Sequence, residues 1–163
     1  MDIATILWIT LPFVFGFGIY LFPKISRPLA FAVVLASMAY GLQQSFIATP
    51  LEIQLLDSFG VSLVVDSLSS FFIVTNALVT GAVLFYCFQS DRSAFFYTQL
   101  IILHGSLNAA FICADFMSLY VALEVIGIAA FLLVAYPRTN RSIWVALRYL
   151  FVSNTVMLFY LVG

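Results

Sequence analysis

Glu124 lies deep inside a long apolar run of this sequence, where a carboxyl group is suited to proton chemistry. It is eight residues after Phe116 and twelve before Tyr136, the ends of that run. In a helix, the carboxyl would lie about 12 Å from one end and about 18 Å from the other. A charged carboxylate near the centre of a bilayer costs about 2.5 to 3.5 kcal/mol, and taking up a proton removes most of that cost. Glu124 is therefore predicted to exchange a proton; the alternative is a protonated or paired residue that only fixes helix packing.

His104 is the only histidine, and it lies in the preceding apolar run together with Asn108. His104, Asn108 and Asp115 fall within about 40° of one helix face if the helix continues to Asp115. Such a polar stripe would form a half-channel that relays protons toward the outer surface. The alternatives are that Asn108 packs on a neighbouring helix, that His104 bonds to a carbonyl, and that Asp115 begins the next helix. Three polar residues of an earlier run are predicted to contact other helices: Thr75, Asn76 and Thr80.

Arg148 is a basic residue inside the last apolar run. It lies six residues after Ser142. This spacing places it about 9 Å from that end of its helix and about 9 to 10 Å from Glu124 in depth. Because an arginine does not deprotonate in proteins, Arg148 can bias the charge of Glu124 but cannot relay a proton. The alternative is that the guanidinium extends to the nearer membrane surface.

The composition excludes a soluble enzyme. Of the 163 residues, 64% are hydrophobic and 8% are charged, whereas about a quarter of a soluble domain is charged. The net charge of −1 offers no basic surface for nucleic acid. The sequence has no glycine-rich phosphate loop, no metal-ligand spacing and no nucleophile with a base in range. We therefore expect no cofactor, no metal and no catalytic residues.

Charged residues mark the ends of six apolar runs, each about as long as the 20 residues that a membrane-spanning helix needs. The predicted helices cover residues 3–22, 29–47, 66–88, 95–113, 116–136 and 143–162. Asp66 is predicted to cap the third helix. The connection from Ala48 to Val65, which contains Glu52 and Asp57, is predicted to be an acidic loop. The predicted fold class is all-α: a polytopic membrane protein with six transmembrane helices in a single transmembrane region, 1–163.

Lysine and arginine residues mark the cytoplasmic side of a membrane protein. Five of them lie in the connections after the first, third and fifth runs: Lys24, Arg27, Arg92, Arg138 and Arg141. The connections after the second and fourth runs contain none. The N-terminus is therefore predicted to lie outside.

Three stretches carry a resemblance to a known family. FGVSLVVDSLS covers Phe59 to Ser69, LNAAFICADFMSLYVALEV covers Leu107 to Val125, and ALRYL covers Ala146 to Leu150. They resemble the antiporter-like membrane subunits of Mrp-type multisubunit cation/proton antiporters, of the proton-pumping arm of complex I and of membrane-bound hydrogenases. The second stretch is close to the pattern of the Mrp D subunit, in which an Asp at a turn precedes a Glu in the fifth helix. The resemblance is to the N-terminal portion of these subunits.

The resemblance implies that Glu124 corresponds to the central glutamate of the family and Arg148 to the basic residue of its sixth helix. It implies an ion transporter subunit, not an enzyme by itself, whose partners are other integral membrane subunits, the lipid bilayer, protons and a monovalent cation. The implied location is a bacterial plasma membrane or a thylakoid membrane. The alternatives are a proton-pumping subunit of a complex I and a non-conducting structural or assembly subunit. Because the family's later helices are missing, we expect the front portion of a larger transporter or one part of a split subunit.

Overall fold

The residues that the structure describes form a bundle of six long helices with one small β-hairpin. The computed structural model describes residues 2–47, 50–54 and 60–162. The helices are α1 (Asp2–Leu21), α2 (Ser26–Ser45), α3 (Ser67–Tyr86), α4 (Ala94–Ile112), α5 (Phe116–Ala135) and α6 (Asn140–Val162). All six are long and apolar enough to cross a membrane. The predicted fold class, an all-α polytopic membrane protein, is confirmed, whereas the orientation of the N-terminus stays a prediction.

α4 is the central helix of the bundle, because it packs against α1, α2, α3 and α5. Tyr97 and Ile101 of α4 share a buried core with Ile19 of α1 and Val33 of α2. A larger share of α4 is buried than of any other spanning helix, and α6, which packs on α5, is the least buried. Polar side chains of α4 are therefore enclosed by protein, whereas most of α6 faces outward.

A β-hairpin occupies the connection between α2 and α3, where the sequence predicted an acidic loop. β1 (Leu51–Gln54) pairs antiparallel with β2 (Ser62–Val65). Ile53 and Leu63 are buried in a core with Trp8 of α1 and Ile112 of α4. Apolar and polar residues alternate along β1, and in β2 every second residue, Leu63 and Val65, is buried on this face. Asp57 and Phe59 lie outside the described residues.

Local capping explains where two of the helices begin. At the start of α3, Asp66 accepts a hydrogen bond from the Ser69 N–H (2.7 Å), and the Ser69 hydroxyl accepts one from the Asp66 N–H (2.9 Å). The predicted cap at Asp66 is confirmed, and it is a complete capping box. Before α6, Thr139 and Ser142 exchange equivalent bonds of 3.1 and 3.0 Å. This cap explains why α6 begins at Asn140, three residues before the predicted Ile143.

α2 begins at Ser26, three residues before the predicted Leu29. Pro28 lies in the first turn of this helix, where the backbone N–H groups have no partner within the helix. A proline costs little at such a position, so it does not delay the start of α2.

Replacement of Gly105 by alanine is expected to destabilise the contact between α1 and α4. A Cβ atom at Gly105 would lie 2.6 Å from Cβ of Pro12, whose ring cannot move away by rotation. Overpacking of this kind costs about 1 to 3 kcal/mol. Gly18→Ala in α1 is the control, since a Cβ atom there meets nothing within 4 Å. Thermal unfolding in detergent measures both variants; a Gly105→Ala protein as stable as Gly18→Ala would contradict the packing described.

Candidate functional site

A cluster of five buried polar side chains joins α2, α3 and α4. We name it the polar cluster; its members are Ser37, Asn76, Thr80, His104 and Asn108. Ser37, His104 and Asn108 are each only 1% exposed. The lipid interior offers no hydrogen-bond partner, so groups at this depth must satisfy one another. The predicted interhelical contacts of Asn76 and Thr80 are confirmed, whereas Thr75 is exposed and bonds to the carbonyl of Phe71 in its own helix.

The backbone carbonyl of His104 fixes the directions of the hydrogen bonds in the polar cluster. Nδ2 of Asn76 donates to this carbonyl (3.0 Å) and to Oδ1 of Asn108 (2.8 Å). Because a carbonyl can only accept, the amide of Asn76 can point only one way, and Asn108 must then direct its Nδ2 toward His104. Nδ2 of Asn108 lies 3.2 Å from Nε2 of His104 and 3.4 Å from Oγ of Ser37.

These directions fix the tautomer of His104. Nε2 accepts from Asn108, so the ring proton is on Nδ1, which lies 3.1 Å from Oγ1 of Thr80. Thr80 in turn donates to Oδ1 of Asn76 (3.4 Å) and closes the circuit. A second proton on the imidazole would place an N–H against the amide N–H of Asn108. The arrangement therefore fits a neutral imidazole whose Nδ1 joins α4 to α3 and whose Nε2 is held by Asn108 of its own helix.

Asp115 does not extend the polar face of α4. That helix ends at Ile112, and Asp115 is the N-cap of α5, as in the alternative interpretation of the sequence. One carboxylate oxygen accepts from the N–H of Ser118 (2.7 Å) and the other from the N–H of Ser62 in β2 (3.0 Å). The N–H of Ala114 also donates to the carbonyl of Ser62 (2.9 Å). The turn between α4 and α5 is thereby fastened to the hairpin.

Two groups at this turn have shifted pKa values. Partial burial disfavours the charged form of Asp115, but the hydrogen bonds from Ser118 and Ser62 outweigh it and hold its pKa below the usual value. Desolvation, together with the nearby charge of Asp115, raises the pKa of the Cys113 thiol to about 11. Asp115 is therefore a carboxylate, and Cys113 a neutral thiol, at neutral pH.

Glu124 is half-buried near the middle of α5. The phenol of Tyr120, one turn earlier, interacts with its carboxylate. Within the described ranges, no helix other than α5 supplies a hydrogen bond or an ion pair to Glu124. The ion pair found within these ranges joins Arg27 to Asp91 (3.4 Å). Glu124 and His104 are each ten residues from Ala114, so the α4–α5 hairpin places them at about the same depth.

The structure does not bring Arg148 and Glu124 together. Tyr160 of α6 stacks on Phe116 of α5 (4.3 Å), and Ser153 of α6 faces Gly127. This antiparallel register separates Arg148 from Glu124 by about 6 to 12 Å along the helix axis. Arg148 also lies about 120 to 140° around α6 from Ser153 and Tyr160, the residues that contact α5. Its guanidinium lies over the ring of Trp144, 5.3 Å from the centroid.

A cleft of about 450 Å³ opens between α1, α4, α5 and the hairpin. Its lining is almost wholly apolar and includes Leu63, Cys113 and Val121. Val121 is three residues before Glu124, so the cleft ends about one helical turn from the carboxyl.

Sequence reasoning found four of the five members of the polar cluster and missed Ser37. The available signal was a single serine among the apolar residues in the first half of the second run, and a serine there forms no pattern with its neighbours. The roles of His104, Asp115, Glu124 and Arg148 in proton translocation stay predictions.

Six spanning helices with a buried polar cluster define a polytopic membrane protein, and comparisons identify its relatives. Over 177 aligned residues the chain is 30% identical to the D subunit of the Na(+)/H(+) antiporter of Alkalihalophilus pseudofirmus, covering 100% of this chain and 36% of that protein. It is 33% identical over 111 residues to the N subunit of the NADH-quinone oxidoreductase of Desulforudis audaxviator, covering 64% of this chain and 22% of that protein. The Na(+)/H(+) antiporter of Bacillus subtilis has a D subunit that is 26% identical over 110 residues, covering 64% of this chain and 22% of that protein.

A solved structure shows the same fold. A chain of the membrane-bound sulfane sulfur reductase, an archaeal respiratory membrane complex, matches with a TM-score of 0.86 and 19% identity, over 100% of this chain and 36% of that one. No family model matches. The chain thus has homologues named as D subunits of Na(+)/H(+) antiporters and as an N subunit of an NADH-quinone oxidoreductase, which confirms the predicted resemblance. It spans 36% of the length of the first relative named above.

Thr80→Val is expected to destabilise the bundle. The substitution removes the acceptor for the Nδ1 proton of His104 and the donor to Asn76, which leaves a buried N–H group unsatisfied at a cost of about 1 to 3 kcal/mol. Thr75→Val, on the exposed side of the same helix, is the matched control and is expected to stay within about 0.5 kcal/mol of the parent. Unfolding in mixed micelles by added SDS measures both; equal stability of the two variants would contradict the network.

Asp115→Asn is expected to remove a pH-dependent contribution to stability. Since the pKa of Asp115 is lowered in the folded protein, the charged carboxylate stabilises the fold above the unfolded pKa of about 3.9, and this contribution is lost as the pH falls through the lower folded value. The difference in unfolding free energy between parent and Asp115→Asn should therefore be constant near neutral pH and shrink below about pH 4. A difference that stays the same from pH 7 to pH 3 would show that the carboxylate has no such role.

Proposed function

We propose that this chain is part of a membrane subunit of a multisubunit cation/proton antiporter, in which Glu124 takes up and releases the translocated proton. One observation carries the proposal: a carboxyl group lies near the middle of a membrane-spanning helix, and no cation pairs with it among the described residues. The similarity to the D subunits of Na(+)/H(+) antiporters in two bacteria supports the class of transporter.

The surroundings of Glu124 favour exchange of a proton over a fixed charge. α5 is an apolar helix whose residues are mostly half-buried, and Val121 and Ile128 on one of its faces are exposed. An unpaired carboxylate there costs about 2.5 to 3.5 kcal/mol, which protonation relieves. Tyr120 provides a neighbouring phenol that can donate to the carboxylate or accept from the acid. The apolar cleft on the hairpin side ends near Val121, about one helical turn from Glu124.

The other three predicted site residues act on Glu124 from a distance in this proposal. The polar cluster around His104 fixes the depth and rotation of α4, and Asp115 fixes the start of α5 against the hairpin. His104 and Asp115 are therefore positioning residues. Arg148, on the far side of α6, contributes only a through-space positive charge.

A proton-pumping subunit of an NADH or ferredoxin:quinone oxidoreductase is the second candidate, favoured by the similarity to the N subunit of an NADH-quinone oxidoreductase. Both functions place the chain in the bacterial plasma membrane beside other integral membrane subunits. They differ in the driving force: a gradient of Na⁺ or K⁺ drives proton flux through an antiporter, whereas a complex I subunit moves protons only while quinone is reduced.

Glu124→Gln is expected to abolish proton flux driven by a cation gradient. The amide keeps the shape of the side chain but cannot take up a proton, so a loss of more than about tenfold is expected in vesicles that contain the assembled complex. Glu52→Gln, in the strand β1 of the hairpin, is the matched control and should retain the parental flux.

A fluorescent pH dye inside the vesicles reports the flux, and a native gel reports assembly. Undiminished flux in Glu124→Gln would exclude the proposed role. Loss of the assembled complex in this variant would indicate a structural role for Glu124, which is the non-conducting alternative.

A further inference from the structure

Two hydroxyl groups lie within about one helical turn of Glu124, one toward each end of α5. Tyr120 precedes Glu124 by four residues on the same helix, and its phenol interacts with the carboxylate. Ser153 of α6 faces Gly127, three residues after Glu124, and its Oγ would lie 3.1 Å from a Cβ atom there. The direction of the Glu124 side chain therefore decides which of the two hydroxyls it meets.

Helix geometry turns the Glu124 side chain toward Tyr120. In an α-helix the Cα–Cβ bonds tilt toward the N-terminus, and residues four positions apart lie on the same face. The N-terminus of α5 is the end that Asp115 fastens to β2 of the hairpin. The carboxyl of Glu124 therefore extends toward the phenol of Tyr120 and away from Ser153.

An aromatic stack between α5 and α6 holds the ring of Tyr120. Tyr160 of α6 stacks on Phe116, with 4.3 Å between the ring centroids and 5° between the ring planes. The same Tyr160 ring is stacked with Tyr120, at 6.5 Å and 10°. Phe116 and Tyr120 are about one helical turn apart, so one ring of α6 orders two rings of α5. The stack restricts rotation of the Tyr120 side chain and keeps its hydroxyl near Glu124.

Two ionisable groups of the described helices lie near this depth and are engaged elsewhere. His104 is bonded within the polar cluster, and the guanidinium of Arg148 lies over the ring of Trp144. The competing interpretation of Tyr120 is an interfacial tyrosine whose hydroxyl reaches the headgroup layer, as is common near the ends of spanning helices. Tyr120 is half-buried, and the interaction of its phenol with the carboxylate favours Glu124 as the partner.

We propose that Tyr120 is a positioning residue for Glu124: its hydroxyl donates to the carboxylate and holds it toward the hairpin end of α5, and Tyr160 keeps the phenol in place. A hydroxyl suits both states of an acid that exchanges a proton. It donates to the carboxylate, and after Glu124 has taken up a proton it accepts from the carboxylic acid. Glu124 thus keeps one orientation in both states. The role in transport rests on the function proposed above for Glu124, whereas the hydrogen bond does not.

The first test is the C=O stretch of protonated Glu124 in the assembled complex. Infrared difference spectra on acidification show a band for each carboxyl that takes up a proton, and the band missing in Glu124→Gln belongs to Glu124. Because loss of a hydrogen-bond partner moves such a band to higher frequency, Tyr120→Phe is expected to shift it upward. Ser153→Ala and Tyr149→Phe, an exposed tyrosine of α6 outside the stack, are the controls and should keep the parental frequency.

An unmoved band in Tyr120→Phe would overturn the proposal and assign the hydroxyl to the headgroup layer. A band that moves in Ser153→Ala instead would also overturn it, since the carboxyl would then extend toward the other end of α5.

The role of the stack is tested on the same band. Tyr160→Ala removes the ring that orders Tyr120, so the phenol gains rotamers and the Glu124 band is expected to broaden. Tyr160→Phe keeps the ring and should keep the width of the band. A band of parental width in Tyr160→Ala would show that the stack does not hold the phenol.

Proton flux in vesicles tests the role in transport. Tyr120→Phe is expected to slow the flux about tenfold, the effect of losing one hydrogen bond to a charged group, whereas Tyr149→Phe should keep the parental flux. Parental flux in Tyr120→Phe, in a complex whose flux Glu124→Gln abolishes, would overturn the positioning role. Parental flux in Glu124→Gln would instead refute the proposed function of Glu124, and the infrared band would still report whether the hydrogen bond exists.

Discussion

The lipid interior offers no hydrogen-bond partners, and this constraint decides which polar side chains of the bundle are structural. In the polar cluster every side chain has a hydrogen-bond partner, from Ser37 on α2 through Asn108 and His104 on α4 to Thr80 on α3. Such a cluster holds three helices in one register. Glu124 is the opposite case, since its polar neighbour belongs to its own helix and the adjacent face of α5 is open. A cluster bonded across three helices and a carboxyl with a polar partner only on its own helix, at equal depth, are suited to different tasks.

A continuous series of contacts links the polar cluster to Glu124. The polar cluster holds α4, and a turn of three residues, 113–115, joins α4 to α5. Asp115 and Ala114 fasten this turn to β2 through Ser62, so α5 has little freedom to slide along α4. Close contact of Gly105 with Pro12 adds a further constraint between α4 and α1. The depth of Glu124 is therefore set by contacts in which Glu124 itself takes no part.

The helices could be predicted from the sequence because apolar runs and charged ends reflect the same bilayer that the helices cross. Helix starts were missed where short caps decide them, as at Thr139, because side-chain hydrogen bonds of this kind follow no hydropathy pattern. The hairpin was missed because strands of four residues lie within an acidic stretch. The sequence prediction placed Asp115 on the same helix face as His104, because residue spacing does not show where α4 ends. The end of α4 at Ile112 depends on the hydrogen bond between the turn and β2. The face of α6 that carries Arg148 depends on packing against α5 and could not be known from hydropathy.

The most direct test of the proposed function is the infrared difference spectrum of the assembled complex in vesicles when a cation gradient is applied. A carboxyl group that gains or loses a proton during transport changes the absorption of its C=O stretch. We expect such a change in the parent and in Glu52→Gln, and its absence in Glu124→Gln. A difference band that persists unchanged in Glu124→Gln would contradict the assignment of the transported proton to this residue.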